Sequence, residues 1–126
     1  MSVAAAVVAS IVLAGLAGLQ VLAAAGRPVG RFVWGGQHRV LPRALRIGSA
    51  VSIVLYAAFA AVLLSRAGAL PGGGAPFVEV ATWVLVAYFG IGIVMNAISR
   101  SRAERAAMTP ACAVLAVAAL VVALGP

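Results

Sequence analysis

The chain has 126 residues, of which 65% are hydrophobic and only 9% charged, and its mean hydropathy is +1.19. Soluble domains are roughly half apolar and a quarter charged, and one of this size leaves about a third of its surface in water, so the composition excludes a water-soluble fold and makes lipid the main solvent. The formal charge of +7 comes from nine arginines, with no lysine, against two acidic residues; the arginines occupy connections between apolar runs, so membrane topology accounts for them and nucleic acid is not an expected partner.

The first apolar run predicts a membrane-spanning helix over residues 3–25. Ala23, Ala24 and Ala25 resemble a signal-peptidase site. The start of the chain carries no basic side chain, however, the run is longer than a usual signal core, and arginines follow at once, so the expectation is an uncleaved span. Ala6, Ser10, Ala14 and Gly18 recur every four residues and predict a small-residue ridge against another helix, because close backbone approach supplies packing energy in lipid. Gln20 lies on the same helix, several residues before its end.

The connection 26–46 carries Arg27, Arg31, Arg39, Arg43 and Arg46. Within it, Phe32 and Trp34 are expected to settle at headgroup level while the arginines meet anionic phosphates. His38 is the only histidine and is a candidate to meet a partner. Gly35-Gly36 is not a phosphate loop, since no Lys-Ser/Thr follows and no strand precedes it. The candidate lipid or partner contact is therefore Arg31, Trp34, His38, Arg39 and Arg43.

A second helix is predicted over 46–65, with Ser49, Ser52 and Tyr56 on one face. Residues 68–76, rich in glycine and proline, form a reversing turn. The third helix, over 77–99, aligns Tyr88, Gly92, Asn96 and Ser99 on one face. Polar atoms at membrane depth are costly unless paired, so Gln20, Ser49, Ser52, Tyr56, Tyr88 and Asn96 are expected to face inward as a polar cluster, either as interhelical hydrogen bonds or as a small path or pocket. Gln20 and Asn96 lie close in depth to Ser49 and do not titrate, so these residues by themselves are not a proton relay or a general base. No Asp, Glu, Lys, Arg or His falls near the middle of any run, which argues against carboxylate-driven antiport. Glu79 is expected to pair with Arg66 across the turn.

The connection 100–109 carries Arg100, Arg102 and Arg105. Ser101 and Glu104 have capping-box spacing, and Thr109-Pro110 reads as a second helix start. The expectation is one helical turn that bends at Pro110 into a fourth span, with the helix over 106–125 and a second small ridge at Cys112, Ala116, Ala119 and Ala123.

The predicted fold is thus an all-α membrane protein, one domain over 1–126, built as an antiparallel up-down bundle of four transmembrane helices. Eight of nine arginines fall at one end. The positive-inside rule then places both termini outside and the loops 26–46 and 100–109 in the cytoplasm of a multi-pass cell-membrane protein. Arginine without lysine and the Ala/Val/Leu/Gly bias suggest G+C-rich coding and a bacterial inner membrane. One cysteine and one histidine supply neither a thiol relay nor a multi-histidine metal or haem site, so no cofactor is expected. With no nucleophile–base pair or paired carboxylates, the expected function is a non-enzymatic accessory or interaction component whose basic loops meet anionic lipid or a protein partner. The alternative is an oligomeric channel or facilitator for a small solute, and a homo-oligomer fits either reading.

Overall fold

The computed structural model describes residues 1–125, and Pro126 lies outside the described residues. Its four helices are α1 (Ser2–Ala24), α2 (Arg43–Ala67), α3 (Pro76–Ala97) and α4 (Arg102–Leu124), with two short 3₁₀ turns, Gly30–Phe32 and Trp34–Gly36, between α1 and α2. No strand occurs among the described residues. The helices have 22 to 25 residues and are long and apolar enough to cross a membrane; at 1.5 Å rise they span about 33–38 Å, against a hydrocarbon core of about 30 Å.

All four helices begin earlier than the hydropathy runs suggest, and local chemistry explains the starts of α2, α3 and α4. Pro42 is the extended residue before α2, with φ −66° and ψ 163°, and the helix begins directly after it. Pro76 opens α3 at the first helical position, where its missing N–H would be unsatisfied anyway. Ser101 caps α4, its hydroxyl accepting from the Glu104 N–H at 3.2 Å. At the end of α2, Gly68 adopts φ +94° and its N–H reaches the Leu64 and Ser65 carbonyls, a left-handed cap that glycine reaches without strain.

Pro110 does not start a separate span: it lies inside one continuous α4. A proline in an apolar bundle forfeits one backbone donor, a loss that neighbouring helices make tolerable.

Contacts at the helix ends fix an antiparallel course. The Ser2 hydroxyl donates to the Gly125 carbonyl, joining the start of α1 to the end of α4. At the opposite end, Arg46 Nε donates to the Ala24 carbonyl at 2.8 Å, and Arg105 Nη1 donates to the Ser99 carbonyl at 2.7 Å. The α1–α2 and α3–α4 hairpins pack along their lengths and meet chiefly through α1 and α4, whereas α2 and α3 touch far less.

The core contains Ala6, Ala9 and Leu13 of α1, Leu63 and Ala67 of α2, Leu85 and Phe89 of α3, and Leu115, Ala118, Ala119 and Val122 of α4. Ala119 and Ala123 of the expected α4 ridge are buried. The α1 ridge is different: Ala6 is buried, but Ala14 and Gly18 are exposed, and the buried stripe runs Ser2, Ala6, Ala9, Leu13, Gln20 and Ala23. The expected Glu79–Arg66 pair is absent as well. Glu79 is exposed, and Arg66 Nη1 turns to the Gly73 carbonyl at 3.5 Å, a neutral acceptor within its own turn.

Candidate functional site

The 26–42 connection is a folded cap rather than a loose loop. Gly30 N–H donates to the Arg39 carbonyl at 2.9 Å, an approach so close that a Cβ on Gly30 would collide with the His38 carbonyl. Trp34, Gly35 and Gly36 take φ of +52°, +77° and +70° in succession. Positive φ is ordinary for the glycines but uncommon for a tryptophan, so surrounding contacts must hold Trp34 in place.

Three such contacts are present. The Trp34 Nε1–H donates to Ser49 Oγ at 3.0 Å, Gly35 N–H donates to Glu104 Oε2 at 3.2 Å, and the Ser101 hydroxyl donates to the Arg31 carbonyl. Beneath them, Val33 and Leu41 bury against Ala23, with Phe32 partly buried beside them. Glu104 therefore does not complete a capping box. The Ser101 N–H lies 3.2 Å from Ser99 Oγ instead, and the Glu104 carboxylate secures the cap.

This folding divides the expected contact residues. Trp34 is committed inward through its N–H, although it remains 43% exposed. Arg31, His38, Arg39 and Arg43 are exposed. Pro28, Arg31, Gly36, His38 and Arg39 surround an open depression of about 420 Å³ on the cap's outer side, and the Arg31 guanidinium lies 4.8 Å from the Phe32 ring centroid. Arg43 stands apart, as the first residue of α2.

Under the cap, between α2 and α3, lies a cavity of about 480 Å³. Five of the six expected polar-cluster residues line it: Gln20, Ser52, Tyr56, Tyr88 and Asn96. Ser49 is buried and serves Trp34. Gln20 Nε2 donates to Tyr56 OH at 3.4 Å, Ser52 Oγ to the Gly48 carbonyl at 3.0 Å, and Asn96 Nδ2 to the Gly92 carbonyl at 2.8 Å and Cys112 Sγ at 3.3 Å. Gln20 is 8% exposed, and its Oε1 is buried without a hydrogen-bond partner.

Gly92 lets α4 lie close to α3 at this level, since a Cβ on it would stand 3.1 Å from Cys112 Sγ. Toward the far end the gap is filled by Phe59, whose ring centroid is 5.4 Å from that of Tyr88 and 6.0 Å from that of Phe89. Leu13 and Leu115, both core residues, also line the cavity wall.

Sequence reasoning missed Glu104, Met108 and Cys112, which line the cavity from α4. Their spacing of four residues, continued by Leu115, is a helical face and was available as a signal. Among the described residues, no three His, Cys, Asp or Glu side chains are grouped so as to hold a metal ion.

The fold and site define a four-helix protein suited to crossing a membrane, with one arginine-rich, capped end above a largely apolar cavity that carries a few polar groups. Comparison with known proteins found no family model, no curated protein and no solved structure that matches this chain.

Proposed function

We propose that this protein is a non-enzymatic accessory component of a cell membrane whose capped, arginine-rich end contacts anionic lipid headgroups on the cytoplasmic side. The observation that carries the reading is the depression bounded by Arg31, His38 and Arg39, set on a backbone that Gly30 and the contacts to Ser49, Ser101 and Glu104 hold in shape. Preformed basic concavity favours phosphate over water, because the cations need not be gathered on binding. Each arginine near an anionic leaflet adds about 1 kcal/mol. Orientation follows from the charge asymmetry, with both termini outside.

The test is native mass spectrometry of the purified protein against anionic and zwitterionic lipids, comparing wild type with Arg31→Gln/Arg39→Gln and with Arg66→Gln at the other end. The double variant is expected to lose its preference for anionic lipid while Arg66→Gln keeps it. Equal retention in all three would contradict the reading.

The facilitator alternative draws support from the cavity lined by the polar stripes. The aromatic cluster that fills the α2–α3 gap at the far end favours a pocket over a conduit within a single chain.

A further inference from the structure

We propose that the α2–α3 cavity is a binding site for a bilayer-borne amphiphilic amine, a protonated ammonium on an apolar tail, distinct from the anionic contact on the cap. The first ground is charge. Glu104, 7% exposed, lines the cavity, and its hydrogen bond comes from a neutral donor, Gly35 N–H. No arginine or histidine is among the lining residues; the neighbouring Arg105 donates to the Ser99 carbonyl. A carboxylate withdrawn from water is costly without a counter-cation, and a cationic ligand supplies one.

The second ground is the orphaned acceptor. Gln20 Oε1 is buried with no donor, and Gln20 is itself a lining residue. Buried acceptors in native proteins are nearly always satisfied, so an N–H from a ligand fits this position. The third ground is the wall. Phe32, Trp34, Tyr56, Tyr88 and Phe89 contribute aromatic rings, which attract cations through their faces and receive an apolar tail through their area. Tyr88, Ile91 and Met95 are lining residues that are also more than half exposed on the outside of the bundle. They place the mouth along α3, where a ligand dissolved in lipid arrives without crossing the arginines.

The experiment places the full chain, carrying Trp83→Phe so that Trp34 is its only tryptophan, in zwitterionic phosphatidylcholine nanodiscs. Trp34 emission is titrated with dodecylammonium, dodecyltrimethylammonium and dodecanol. Saturable binding of dodecylammonium at least about tenfold tighter than dodecanol is expected, a difference equivalent to one charge-assisted contact. The quaternary ammonium, which has no N–H for Gln20, falls between them. Glu104→Gln, which keeps an oxygen for Gly35 N–H, should erase the preference for amine over alcohol, and Gln20→Leu should erase the preference for the primary over the quaternary ammonium. Arg31→Gln/Arg39→Gln should leave both preferences intact, so failure of the anionic contact and failure of this site are separable. Equal affinity for amine and alcohol, non-saturating partition into the lipid, or an unchanged preference in a folded Glu104→Gln variant would overturn the proposal.

Discussion

Gly48 illustrates how single residues shape this protein, because a Cβ there would stand 2.8 Å from the Trp34 ring. The absence of a side chain lets the indole lie against α2 and reach Ser49. Gly36 plays the matching part against α4, where a Cβ would collide with Ser101. Neither requirement is visible in sequence, since both depend on a tertiary contact. Within one chain the buried stripe of α1 differs from the four-residue ridge for a more elementary reason. Residues four apart are separated by 400°, so each step of a strict four-residue ridge drifts about 40° around the helix. Ala6 and Gly18 are three such steps apart, and the second has left the interface; a Cβ at Gly18 meets nothing within 4 Å. Ala9 is fully buried. Ala9→Leu is therefore expected to cost about 1–3 kcal/mol by overpacking, and Gly18→Leu to stay within about 0.5 kcal/mol, its new side chain pointing outward. Unfolding both variants in detergent checks the order, and a larger loss at Gly18 would point to a contact with a second copy of the chain.

Among the helices, α4 departs most from its expected form. Continuous apolar runs and the positions of prolines made the existence of all four helices legible, because a run of about 20 apolar residues admits few other structures. Boundaries were less so, since Arg43 and Arg102 are polar and yet helical. Hydropathy is blind to an N-cap that admits a charged first turn, and rules drawn from soluble helices made Pro110 a start. The Ser101–Glu104 spacing correctly marked a cap, but its second half was answered by the loop: Glu104 reaches Gly35 while Ser101 holds both α4 and Arg31. One serine thus couples a helix end to the cap over the cavity. Ser101→Ala is expected to cost about 0.5–2 kcal/mol, in the usual range for an N-cap. It should also raise amide hydrogen exchange at residues 30–37 above any change in α2 or α3, because the loop loses one of its two ties to the start of α4 while the spans keep theirs. Exchange that rises uniformly, or only in the first turn of α4, would show that the serine is a cap and nothing more.

At the scale of the whole molecule, two hairpins joined through α1 and α4 leave α2 and α3 apart at the basic end. That gap could not be read from sequence. The polar stripes were legible from their spacing, but whether such faces close on each other or enclose space depends on helix placement, and here Tyr88 stays more than half exposed while Phe59 packs at the far end. Arginine from the next helix also finishes each hairpin, with Arg46 on the Ala24 carbonyl and Arg105 on the Ser99 carbonyl. Basic groups at helix C-terminal carbonyls are favoured by the helix dipole. These two arginines therefore have structural work, and Arg27, Arg31, Arg39, Arg43, Arg100 and Arg102 remain as exposed charge.

The proposed function depends on which face of the membrane that exposed charge meets, and one labelling experiment addresses it most directly. On a Cys112→Ala background, His38→Cys places a thiol in the cap, and a cysteine introduced at exposed Gly72 places one in the opposite turn. In intact cells, a membrane-impermeant thiol reagent is expected to label the Gly72→Cys protein and to spare His38→Cys until the membrane is permeabilised. Labelling of His38→Cys in intact cells, with Gly72→Cys protected, would put the arginine-rich end outside and contradict a cytoplasmic contact with anionic headgroups.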